Sequence, residues 1–330
     1  MLRLIHSIVF TQVPTASEPS RNKTFYFPAI ETVEINETFD TLTNTATITL
    51  PRNLKYQDRN IYEGDNPILR RGDKVKISAG YAPKIDIRFD GYISKIDNNV
   101  PVVIKCEDSM WLLKQKIVKS KTFSDTSLPD VMDYIMEGTG IDFNCTRVSG
   151  FDLRINEASI GLILKKLRDE LGIYSWFKDG QLYVGLAYYP DLAKETTIIF
   201  EESIIESELQ YLKKEDVKIK VNGVLINQDN TREEISVGDS DGDLRTVFQY
   251  GGTLDNLRNT INVFLEQANY TGYYGSFTTF LQPKITHGDY VVLSSYKYPE
   301  RKGKYLVKSV DVSFGVNGGR QTVELERRIE

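Results

Sequence analysis

Gly238-Asp239-Ser240-Asp241-Gly242 has the spacing of a nucleophile elbow, in which a serine sits on a strained turn with its hydroxyl exposed. His287 lies downstream and acidic residues fall between the two, which is the chain order of an α/β-hydrolase triad. That chemistry needs a strand before the serine and a helix after it. Here Asp243-Leu244-Arg245-Thr246-Val247-Phe248 continues as a strand pattern and no β/α alternation surrounds it, so a polar turn is expected. Asp239, Asp241 and Asp243 also fall at alternate positions, as calcium-loop ligands do. The loop lacks the twelfth-position Glu, and its Gly242 precedes the third Asp, so calcium binding there is left open.

The other reactive residue types are no better placed. Glu201-Glu202 and Glu233-Glu234 are carboxylate pairs of the kind glycosidases use, but adjacent residues of a strand point to opposite faces. His6, His287, Cys106 and Cys145 are too scattered for zinc, and there is no P-loop or dinucleotide fingerprint. Lys114, Lys116, Lys119 and Lys121 alternate and could form one charged strand face. They lack the interleaved aromatics of a single-stranded nucleic-acid site, so a solvated surface or subunit contact is expected. No catalytic, cofactor-binding or metal-binding residue is assigned, and no cofactor is expected.

Composition narrows the classes further. The 330 residues are 40% hydrophobic and 26% charged, ordinary for a globular chain of two or three domains. A formal charge of −5 provides no general basic field for nucleic acid phosphates. No apolar run approaches the roughly 20 residues that a membrane helix needs. Arg3, His6 and Ser7 interrupt the apolar N-terminus, which reads as a strand rather than a signal peptide. The two cysteines fall in different candidate domains, so a reducing site of synthesis is expected. The 19 Tyr and 15 Phe favour strands.

Residues 1–108 read as β throughout, with alternating stretches at 29–35 and 45–50 and a long polar loop at 52–66. Residues 109–205 read as an α+β insertion. In it Thr126/Ser127 cap one helix, with Pro129 in its first turn. Ser159 caps a second, whose stripe is Ile160, Ile163, Leu164, Leu167 and Leu171 and whose stop is Gly172. A hairpin with its turn at Lys178-Asp179-Gly180-Gln181 follows. Residues 206–330 return to β, with strands at 217–221 and 234–237 and one helix from Thr253.

Two stretches in the β parts resemble each other. Arg71-Gly72-Asp73-Lys74-Val75-Lys76-Ile77-Ser78 and His287-Gly288-Asp289-Tyr290-Val291-Val292-Leu293-Ser294 both read as a turn feeding a strand. Each passes through a charged, Pro-containing linker to a second strand, at 91–97 or 303–311, and ends on a third, at 102–108 or 321–327. One β-module used twice is the expectation.

The ordered set resembles the baseplate hub proteins of phage tails, which include the late-control family and the N-terminal hub region of the type VI secretion spike protein VgrG. Phe89-Asp90-Gly91-Tyr92-Ile93-Ser94-Lys95-Ile96 with Cys106-Glu107-Asp108-Ser109-Met110-Trp111-Leu112-Leu113 is similar to the end of that family's first barrel and its exit. Ala158-Ser159-Ile160 through Ile173-Tyr174, then Leu182-Tyr183-Val184-Gly185, resembles its inserted domain. Residues 238–245, the helix from Leu254, and residues 288–291 with 303–310 resemble its second barrel.

The resemblance implies a mainly β fold of two similar tube-like β-barrels flanking a small α+β domain. It implies a homotrimer whose six barrels form a ring between a hexameric tail tube and a separate trimeric spike, with baseplate wedge proteins as further neighbours. It implies no sequence-specific nucleic-acid binding, no membrane insertion and no enzymatic activity. The site is the tail baseplate of a phage, prophage or tail-like particle assembled in the bacterial cytoplasm. The chain ends just after the second barrel, so no fused spike or lysozyme domain is expected. The alternatives are a tail-associated cell-wall hydrolase and a β-rich carbohydrate-binding adhesin.

Overall fold

Alternation of apolar and polar residues sets this architecture, since period-two burial places one side of each strand in a core. A computed structural model describes residues 3–27, 29–51, 55–56, 59–60, 67–97, 101–227, 229 and 231–329. Apart from the short pair Lys55–Tyr56 and Arg59–Asn60, the loop expected at 52–66 lies outside the described residues. The chain is mainly β with an α+β insertion, and most of its β structure is one 13-stranded sheet.

Twelve of those strands form two sets. The first comprises β1 (Leu4–Thr11), β2 (Thr32–Thr38), β3 (Thr45–Leu50), β4 (Lys74–Tyr81), β5 (Lys84–Asp97) and β6 (Val102–Glu107). The second comprises β7 (Glu195–Ile199), β8 (Ile204–Ser207), β9 (Ser276–Thr279), β10 (Tyr290–Ser294), β11 (Gly303–Gly315) and β12 (Gly318–Arg328). Thr24–Phe27 is the thirteenth strand and pairs with β1.

In space the first set runs β2-β3-β6-β5-β4-β1. The second runs β8-β9-β12-β11-β10-β7, the same order element for element. Every pairing is antiparallel except β7 with β10. A bulge falls at the same place in both, between Ile93 and Lys95 in β5 and between Val307 and Ser309 in β11. The sets join where β2 pairs with the far half of β11. One core runs through both, from Ile48 and Ile77 to Val291, Val310 and Val323, all fully or almost fully buried. Each such side chain contributes about 1.5–3 kcal/mol relative to exposure.

The insertion has its own core. Helix α1 (Met110–Gln115) leads from β6 into the pair Lys121–Ser127 and Ser149–Ile155. Helix α2 (Leu128–Met136) is capped by Ser127, whose Oγ accepts from Asp130 N at 3.3 Å. Helix α3 (Ile160–Leu171) is capped by Ser159 and stopped by Gly172 at φ 64°. A Cβ on Gly172 would also lie 2.3 Å from the Phe248 ring, so backbone and packing both require glycine. The hairpin Tyr174–Lys178 and Gln181–Gly185 closes this layer. A second small sheet, Ile219–Ile226 between Arg232–Gly238 and Asp243–Tyr250, carries helix α4 (Leu254–Ala268), which buries Leu257 and Ile261.

Several boundaries differ from the sequence reading. The stretch before Gly91 is strand rather than linker, because Ile85 and Ile87 sit within a register that pairs back on β4. The strands expected at 29–35 and 217–221 are shifted to Thr32–Thr38 and Ile219–Ile226, as their pairing partners dictate. The chain re-enters the main sheet already at Glu195, through β7.

Candidate functional site

The repeated Gly-Asp turns are built alike down to single hydrogen bonds. Gly72 and Gly288 take φ 91° and 79°, the left-handed region that favours glycine. Gly72 N donates to Ile93 O at 2.8 Å and Ile93 N donates to Asp73 O at 2.8 Å. Gly288 N donates to Val307 O at 2.9 Å and Val307 N donates to Asp289 O at 2.9 Å. The aspartate side chains, only 1% and 3% exposed, then clamp two backbone segments each. Asp73 accepts from Val13 N (3.0 Å) and Arg70 N (2.8 Å). Asp289 accepts from Lys194 N (3.0 Å) and Thr286 N (3.0 Å).

Val13 follows β1, whereas Lys194 precedes β7. The flanking strand therefore occupies one place with opposite chain directions, which explains why, within the two sets, β7 alone pairs in parallel. The cations differ too. Arg21 makes two hydrogen bonds to Asp73, at 2.6 and 3.0 Å, while Lys178 of the insertion hairpin lies 3.9 Å from Asp289. Burial pushes the Asp73 carboxyl above its usual range, against the pull of its two N–H donors and Arg21.

The seam between the two sets is polar on one face and buried on the other. Asp311 of β11 faces Asn36 of β2, and Asn36 Nδ2 donates to Asp311 Oδ1 at 2.6 Å. The next pair is Val310 with Glu37, whose carboxyl burial raises to about 7 despite Lys284 and Arg88. Arg88, on β5, reaches across to Gln321 (3.2 Å) and to the Leu281 carbonyl, tying the first set to the second. Tyr81 OH donates to Gly319 O at 2.8 Å.

The residues singled out for chemistry are not brought together. Ser240 sits in an exposed turn and a strand follows it. His287 is buried against the Trp176 ring, at 5.4 Å, with neither nitrogen hydrogen-bonded among the described residues. Burial and Lys178 lower its pKa to about 4. Asp241 pairs with Lys218 at 2.6 Å. Among the described residues no three His, Cys, Asp or Glu side chains are grouped to hold a metal. Ser240→Ala should therefore leave stability within about 0.5 kcal/mol of the parent in urea unfolding.

Glu201 and Glu202 lie on a single helical turn, Phe200–Ser203, not on a strand, because the chain steps there from β7 to β8. Glu201 accepts from Ser295 Oγ (2.6 Å) and Tyr296 N (3.1 Å), bonds that lower its pKa to about 2, and Glu202 accepts from the Tyr296 hydroxyl at 2.5 Å. Glu233 and Glu234 accept from Asn227 and Asn222 on an exposed strand. The lysine cluster also divides. Lys114 pairs with Glu107 at 2.7 Å from helix α1, while Lys121 lies over the Phe123 and Tyr134 rings. What the sequence reading missed is the clamping role of Asp73 and Asp289, and its only trace was an aspartate following each repeated glycine.

No family model matches the sequence, and no curated protein matches it. Solved structures do. A tail protein from Neisseria meningitidis MC58 aligns over 97% of this chain and 96% of its own, with a TM-score of 0.61 at 12% identity. The chain has the fold of phage tail proteins. The 43 kDa tail protein of prophage MuSo2 from Shewanella oneidensis aligns over 98% of both chains, with a TM-score of 0.60 at 12% identity. The E. coli c3393 protein, a component of the type VI secretion system with structural similarity to T4 tail proteins gp27 and gp5, covers 91% of this chain and 73% of its own. Its TM-score is 0.54 at 11% identity. The tail-protein fold thus spans both strand sets and the insertion between them.

Proposed function

We propose that this chain is a structural baseplate hub of a phage tail or tail-like injection machine. Three copies close a ring that joins a hexameric tail tube above to a separate trimeric spike below, with wedge proteins around it. The observation that carries this reading is the repeat of one six-strand order, with the same turn clamp, twice in one chain. Interfaces must match the symmetry of their partners, so three chains with two equivalent units each offer six similar positions to a tube and three to a spike.

In this reading residues 1–108 and the strand set β7–β12 are the two ring-forming barrels, while the rest of 109–205 and, within 206–330, the small sheet with α4 stand outside them. The role is mechanical rather than enzymatic. A chain of charge −5 suits a bore through which DNA or protein slides without adhering. The place of action is the tail baseplate, after assembly in the bacterial cytoplasm. Native mass spectrometry tests this: three times 37.7 kDa is the expected mass. A stable monomer that hydrolyses cell wall would overturn it.

A further inference from the structure

The seam inside the chain has an open counterpart. β11 runs past the end of β10, and its freed edge from Ser309 to Gly315 takes β2. β5 likewise runs past β4: its last partner there is Lys74, opposite Tyr92, and the Gly72 turn then bonds Ile93. Beyond that turn, residues 95–97 pair with β6 on one side, and no strand of the described residues pairs with them on the other. At the end of the sheet, β8 and the following Gln210–Leu212 pair inward with β9 and Gly272–Tyr274. Their outer edge carries no strand among the described residues.

The pairings fix which residues correspond. Lys95 and Ser309 are the first paired residues after the shared bulge, opposite Lys105 and Glu324. Two positions on, Asp97 corresponds to Asp311. Thr47 lies opposite Lys105 and Ser276 opposite Glu324. Two residues earlier stand Thr45 and Tyr274, which face Asn36 and Gln210. Gln210 therefore holds the place of Asn36.

We propose that the outer edge of residues 210–212 in one copy pairs antiparallel with residues 95–97 of β5 in the next copy, with Gln210 opposite Asp97. This rests on the ring reading and names the edges that close it. The chemistry repeats the internal seam: the carboxamide of Gln210 meets the Asp97 carboxylate as that of Asn36 meets Asp311. Pairing between copies also covers a sheet edge that otherwise invites indiscriminate strand addition.

The test is a disulfide. Directly opposed residues of antiparallel strands have Cα atoms about 4.5–5.5 Å apart, within disulfide reach. In a Cys145→Ser background, the double variant Asp97→Cys/Gln210→Cys should, on mild oxidation, move most of the chain to three times the monomer mass on a non-reducing gel. Either single variant should stay at monomer mass. Asn36→Cys/Asp311→Cys serves as the control, closing within one chain under the same conditions. If that control closes and the Asp97/Gln210 variant is a trimer by native mass yet does not cross-link, the seam is wrong and the ring stands. If the unmutated chain forms no trimer, both fall.

Discussion

Asp73→Ala should lose about 3–5 kcal/mol in urea unfolding, the cost of removing one partner from a buried ion pair. The carboxylate is 1% exposed and accepts from Val13 N, Arg70 N and both terminal nitrogens of Arg21. Alanine leaves a buried guanidinium uncompensated and two backbone donors without acceptors, each worth about 1–3 kcal/mol when unsatisfied. These costs overlap and do not sum. Asp73→Asn should fall between, because its amide keeps one acceptor oxygen and turns a donor toward a donor. Asp289→Ala should cost less, about 2–3 kcal/mol, since its cation is 3.9 Å away while its backbone donors are equivalent. Equal losses at the two sites would contradict the assigned difference in their cations.

Glu37→Gln should raise stability by about 1–3 kcal/mol at pH 8 and change it little at pH 4, because each unit of pKa shift is worth about 1.4 kcal/mol. Burial raises Glu37 from 4.5 to about 7. Between those values the native state binds more protons than the unfolded chain, so stability falls as pH rises through that window. The neutral amide removes that loss. Asp108, also raised to about 7 by burial, adds to the same slope and remains in the variant. His287 acts in the opposite sense: lowered from 6.5 to about 4, it makes the native state bind fewer protons, and stability falls as pH drops through that window. Because these windows largely coincide, His287 offsets part of the fall caused by the two carboxyls, and the substitution should lessen the loss of stability as pH rises from about 4.5 to about 7. A variant no more stable than the parent at pH 8 would show that Lys284 and Arg88 already hold Glu37 ionised at no net cost.

Local signals made much of the fold legible. Ser127 and Ser159 cap the helices the sequence places after them, and Gly172 stops α3, because caps and left-handed stops depend on a few adjacent residues. The repeated Gly-Asp turns were visible for the same reason. What was hidden is non-local. Nothing near Asp73 shows that its acceptors face Val13, 60 residues earlier. Nothing near Glu195 shows that β7 lies parallel to β10. Pro83 and the surrounding charges disguised the start of β5, which is a strand only because β4 pairs with it. The seam of β2 with β11 joins segments 275 residues apart at Asn36 and Asp311, and no local pattern encodes it.

The duplication therefore has a geometric consequence beyond similarity of sequence. The most direct test is to image the isolated oligomer down its axis by electron microscopy. A three-fold ring in which six similar sheet units recur about every 60° is expected, two from each chain. Single chains, an even-numbered assembly, or three units with no second equivalent set between them would contradict it.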